Sequence, residues 1–117
     1  MNIEHKKMPL VLESYELEEV LIPWGPERKV TKVIRITLHG KNIIAGAYEP
    51  VVKIGDVVVQ YPQIQQDEQG IIGYLTTMPD DGAPIILEYD GEEIGRLKEP
   101  FTRRKLQGMA VEVDVYD

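Results

Sequence analysis

The sequence predicts an all-β sandwich, and three observations predict it. Apolar and polar residues alternate with period two in several short runs. The runs are separated by turns rich in Gly, Pro and Asp. No strand–helix–strand alternation of the kind that builds a parallel nucleotide-binding sheet is visible. The chain has 117 residues, the length of one domain.

Residues 1–9 open the chain with a polar, charged stretch, Met1 to Lys7, and are expected to be a flexible lead-in. Leu10 to Ile22 supports two readings. Leu10, Leu17, Val20 and Leu21 could line one helix face, and the Glu and Leu content favours helix. Ser14-Tyr15-Glu16-Leu17 also alternates as a strand, which the all-β surroundings favour.

Val30 to His39 is the clearest strand. Ile34, Ile36 and Leu38 share one face, expected to be buried. Val33, Arg35, Thr37 and His39 share the other, expected to be mostly wet. Gly40-Lys41-Asn42 ends it; Gly40 is expected to leave the strand with positive φ, and Asn42 to bond neighbouring amides as an Asx turn. Val51 to Val59 divides at Gly55-Asp56 into two pieces of a tight hairpin or bulge. Tyr61-Pro62 is expected to stop the second piece, because proline cannot donate to a central ladder.

Ile71 to Thr77 is the next strand, closed by the turn Pro79-Asp80-Asp81-Gly82. Ile85 to Tyr89 follows. Asp90-Gly91 then signals a hairpin into Ile94 to Leu97. Met109 to Tyr116 reads as a last strand, with Val111, Val113 and Val115 on one face. Those valines need a cover, supplied by the chain's own sheet or by strand addition to another copy, so they form a candidate oligomer edge.

Between Pro23 and Phe101 the chain resembles the IPT/TIG domain, an immunoglobulin-like module. Gly25-Pro26 stands ahead of a strand. Ile34-Arg35-Ile36-Thr37-Leu38-His39-Gly40-Lys41-Asn42-Ile43 is similar to the family's strand and its Gly-x-Asn-Phe corner, with Ile43 in place of phenylalanine. Val52-Lys53-Ile54-Gly55 and the Pro79…Gly82 approach to Ile85-Ile86-Leu87-Glu88-Tyr89 continue the likeness. Glu27-Arg28-Lys29 stands where the family commonly has Gly-Gly-Thr, and residues 102–117 run past the usual end of the module. The resemblance implies an antiparallel immunoglobulin-like sandwich of the E-set type, with Ile43 covering one open end. It implies no catalytic residues. The family serves in receptors, in DNA-binding proteins and as a spacer in adhesive or polysaccharide-acting proteins, and the fold alone does not choose among these.

Composition narrows the function classes. There is no cysteine, so disulfides, thiolate metal sites and a cysteine nucleophile are excluded. The formal net charge of −7 repels phosphate backbones and anionic membranes. No apolar run is long enough to span a bilayer, and no leader is visible, so a cytoplasmic location is expected. Ser14 is the single serine and lacks a Gly-x-Ser-x-Gly elbow, so no enzyme activity, cofactor or metal is expected. The acidic loops Asp80-Asp81-Gly82 and Asp90-Gly91-Glu92-Glu93 could share calcium only from the same end of the sandwich.

What remains is binding. Trp24, in the loop-like Ile22-Pro23-Trp24-Gly25-Pro26, pairs with Tyr48 or Tyr61 as a candidate carbohydrate-binding set. The alternative use of Trp24 is to cap one end of the core. Arg28, Lys29, Lys32, Arg35 and Lys41 cluster around one strand, and Arg103 and Arg104 head a second basic run with Lys105. These suit contacts with a protein or another copy better than nucleic acid, since the rest of the surface is acidic. The expected role is a non-catalytic interaction or assembly module, self-associating through a sheet edge or the C-terminal strand; carbohydrate binding is the alternative.

Overall fold

The computed structural model describes residues 10–43 and 49–106. They form eight strands: β1 Val11–Trp24, β2 Lys29–Lys41, β3 Val51–Ile54, β4 Val57–Val58, β5 Gln60–Ile64, β6 Gly70–Leu75, β7 Ile85–Tyr89 and β8 Glu92–Arg96. A 3₁₀ turn, Arg103–Lys105, follows with Thr102 as its N-cap. All pairing between these strands is antiparallel, in two four-stranded sheets. Sheet A has the order β1-β2-β6-β5, and sheet B the order β4-β3-β7-β8. Among the described residues no helix is long and apolar enough to cross a membrane.

The ambiguous N-terminal run is therefore a strand, because pairing with β2 along its whole length outweighs the helix propensity of its Glu and Leu residues. Tyr15, Leu17, Ile36, Leu38, Ile71 and Leu75 point inward from sheet A, and Val52, Ile54, Ile85 and Leu87 from sheet B. Each such aliphatic side chain contributes about 1.5–3 kcal/mol when fully buried. Ile43 is fully buried in the same core, as the corner reading expects.

Four local expectations change. Gly40 does not turn the chain: it stays in β2, where a Cβ would collide with the Val11 carbonyl oxygen, and Asn42 takes the positive φ of 60°. Tyr61-Pro62 does not stop a strand but lies within β5. That strand is the edge of sheet A, where a missing N–H is harmless, and its register shifts between Gln60 and Gln63. Ile34 is only half-buried, whereas Val33, on the face expected to be wet, is 2% exposed. Finally, the Pro79–Gly82 and Asp90–Gly91 loops flank β7 at its two opposite ends, so they cannot hold one calcium ion between them.

One aromatic clasp ties the segment after β8 to β1. The Tyr15 hydroxyl accepts from the Thr102 N–H at 2.8 Å and donates to the Pro100 carbonyl at 3.3 Å. Its ring stacks on Phe101, 6.1 Å between centroids. Lys105 Nζ lies 4.3 Å from the ring centroid, donates to the Tyr15 carbonyl at 2.9 Å and pairs with Glu99 at 3.2 Å. Burial pushes the Tyr15 hydroxyl pKa up, against the opposing pull of the Thr102 N–H.

Candidate functional site

β6 pairs with β2 only from Ile34 to His39. Among the described residues, the β1–β2 hairpin beyond Glu19 and Ile34 has no third strand beside it. In this distal part Val20, Ile22 and Trp24 oppose Val33, Thr31 and Lys29 on the outer face of sheet A. Six residues of extended chain, about 20 Å, separate Lys29 from Arg35, the partner of Tyr74. Yet the Trp24 ring is 5.7 Å from the Tyr74 ring and 5.4 Å from the Tyr61 ring. The hairpin therefore curls back over its own outer face. That curl explains why Val33 is buried outside the main core, while Val30, opposite Pro23 on the convex side, is 63% exposed.

The concave side forms a groove of about 550 Å³ lined by Ile22, Trp24, Arg28, Tyr61, Gln63 and Tyr74, among others. It runs on through Gln63, Ile72 and Tyr74 into a second depression bounded by Arg35, Gln66 and Asp67. The floor is apolar and aromatic; the rim carries guanidinium, amide and carboxylate groups. Trp24 meets Tyr61 and Tyr74 edge-to-face, at 72° and 67°, so the rings form a cleft and not a flat row. Tyr61 is 66% exposed, so its ring is open to a ligand. The Arg35 guanidinium is held firmly cationic, first by its hydrogen bond to Glu18 at 2.6 Å and then by the Tyr74 hydroxyl.

Of the sequence-derived candidates, Trp24 and Tyr61 come together here. Tyr48, Val111, Val113 and Val115 lie outside the described residues. Arg103 and Arg104 sit elsewhere: Arg104 lies beside Tyr15 and Leu17, seven or more residues from Trp24 along β1, and the Arg103 N–H binds Asp81 Oδ1 at 2.8 Å. The basic cluster on β2 is largely matched by β1, through Arg35–Glu18, Lys32–Glu19 and Lys41–Glu13. Tyr74 on β6 and Gln63 on β5 are the residues that sequence reasoning missed as a site. Tyr74 carried a signal, since it shares a face with Ile72 in a period-two run.

Ser14, Glu16 and His39 share the outer face nearer the sandwich, with Ser14 opposite His39 in register. His39 Nε2 lies 3.1 Å from Glu16 Oε2, but among the described residues no hydrogen bond joins Ser14 to His39, the link a serine relay needs. Among the described residues no group of three or more His, Asp or Glu side chains is placed to hold a metal ion. The molecule's class is thus a β-sandwich bearing a curled hairpin with an aromatic groove. No family model matches the chain, and neither does any curated protein or solved structure.

Proposed function

We propose that this chain is a non-catalytic, immunoglobulin-like interaction module of the IPT/TIG kind, engaging its partner through the concave face around Trp24. Two features support the immunoglobulin-like part. The sheet orders β1-β2-β6-β5 and β4-β3-β7-β8 correspond to the A-B-E-D and C′-C-F-G arrangement of that sandwich. The residues of the IPT/TIG likeness also fall on β2, β3 and β7 in the expected sequence. The observation that carries the binding role is an exposed Tyr61 beside Trp24 and Tyr74, with Arg35 and Gln63 on the same groove. Aromatic and Arg side chains gathered in one concavity are the usual anchors of a protein interface. Self-association through this face or a sheet edge is the assembly form of the role.

Carbohydrate binding is the second reading, favoured by the same rings and by the amides of Gln63, Gln65 and Gln66 along the groove. A cleft of crossed rings suits the end or a short stretch of a glycan better than a flat crystalline surface. Sedimentation velocity at two protein concentrations, beside a glycan array, separates the readings, with Trp24→Ala as the control in both. Association that Trp24→Ala abolishes supports assembly through this face. Glycan binding that Trp24→Ala abolishes supports the second reading. Binding of either kind that Trp24→Ala leaves unchanged removes the groove as the site.

A further inference from the structure

We infer that the Trp24 groove takes a proline-rich segment of a partner protein, in the polyproline II conformation and flanked by acidic residues. The inference rests on the proposed binding role of this face and names the chemistry of the partner. Tyr61 is the first sign. Its φ is 52°, in the left-handed region. The other non-glycine residues described there, Arg28, Asn42, Glu68 and Asp90, are polar and lie outside the strands. Tyr61 lies within β5, where the register shifts between Gln60 and Gln63. A bulky side chain is strained at that φ, and the ring is 66% exposed, so little burial offsets the strain. Strained residues gather at binding sites, and bulges re-aim side chains there. Here the bulge sets the exposed ring beside Trp24.

Shape selects the class of ligand. Trp24 meets Tyr61 and Tyr74 at 72° and 67°, so each pair of rings walls an angular slot. A polyproline II helix has three residues per turn and no internal hydrogen bonds, so it presents apolar ridges beside free carbonyls. Such ridges enter slots between crossed rings, whereas a sugar stacks on one open ring face. Hydrogen-bonding capacity agrees. Among the described residues, the Trp24 indole N–H, the Tyr61 hydroxyl, the Gln63 amide and the Arg28 guanidinium line the groove without a hydrogen-bond partner. Indole and guanidinium groups only donate. A run of prolines only accepts, because proline has no N–H.

Charge sets the flanks. Lys32, Arg35 and Lys41 each face a β1 glutamate. Arg28 and Lys29, at the hairpin tip, have no carboxylate partner among the described residues. Two uncompensated cations at the groove, on a chain of net charge −7, are complementary to acidic residues beside the prolines. A polyproline II segment is already extended before it binds, so docking it in an open groove costs little chain entropy.

The test is nuclear magnetic resonance on the full chain, whose single tryptophan gives one indole N–H signal. The probe is an octaproline peptide with two glutamates at each end. The indole signal is expected to shift and to saturate below about 1 mM peptide. Lysines in place of the glutamates are expected to weaken binding about fivefold, and Arg28→Glu to reverse that preference. Tyr61→Gly is expected to weaken binding about tenfold while its urea midpoint holds or rises, because glycine relieves the positive φ. No shift at about 1 mM peptide overturns the inference. An equal response to a glycine–serine peptide with the same ends overturns it, and so does unchanged binding in Tyr61→Gly. Binding lost together with a lower midpoint would make Tyr61 a structural residue and count against it too. Trp24-dependent self-association or glycan binding without peptide binding would leave the face standing and remove only the proline-rich partner.

Discussion

The two halves of the β1–β2 hairpin are built from the same kind of pairing but held by different surroundings. The proximal half, through Leu17 and Ile36, packs into the sandwich and is locked by the Tyr15 clasp. In the distal half β1 and β2 pair only with each other among the described residues, and a cluster of three rings lies on the concave face. Proximal polar groups bind other groups of the chain; distal ones rim an open groove. Stability is thus concentrated at one end of a continuous ribbon, and the surface fit for a ligand at the other, so changes at the two ends should have different consequences.

The largest effect belongs to the proximal end. Phe101 is fully buried against Tyr15, and Phe101→Ala is expected to cost about 3–5 kcal/mol in urea unfolding. Tyr15→Phe keeps the ring and removes the hydroxyl, leaving the Thr102 N–H without its acceptor; a loss of about 1–2 kcal/mol is expected in the same assay. Both values exceed what the distal half should show. Trp24→Ala is expected to lower global stability by about 1 kcal/mol or less, because its neighbourhood lies outside the main core, while loosening the hairpin end enough to speed proteolysis near Arg28 and Lys29. A Trp24→Ala loss as large as that of Phe101→Ala would make the two halves one unit.

The pH dependence also divides along the ribbon. The hydroxyl of Tyr15 has a raised pKa in the folded chain, chiefly through burial. Its contribution is therefore complete below the unfolded tyrosine value of about 10 and is lost as pH rises through the folded value. Stability should fall across that alkaline range in the wild type, and less so in Tyr15→Phe. The smallest effect is expected from Glu18→Gln. The Arg35–Glu18 pair is substantially exposed, so its loss should cost about 0.5 kcal/mol or less and fade with salt.

The sequence made the proximal half legible and left the distal half obscure, for a physical reason. Alternation over Ile34, Ile36 and Leu38 identified β2 and largely its buried face, and Asp90-Gly91 marked a hairpin that the structure contains. Such signals are local and act through one face meeting one core. Val33 broke the pattern because the hairpin curls and makes a second apolar pocket on the outer side, which period two cannot report. β5 escaped because Pro62 is disallowed only in a central strand, and edge position is a property of the whole sheet. The positive φ falls on Asn42 and not on Gly40 because Gly40 is held in β2 by the close approach of the Val11 carbonyl, and the turn that buries Ile43 comes after it. Trp24 and Tyr61 were identified as aromatic handles from sequence; their meeting with Tyr74 required the curl.

Trp24 is the single tryptophan, so its fluorescence reports the distal half alone, while far-ultraviolet circular dichroism reports the strands as a whole. Urea unfolding followed by both signals tests the separation of the two halves most directly. The Trp24 signal is expected to change at lower urea than the dichroism. Superimposable transitions with one midpoint and one slope would contradict it.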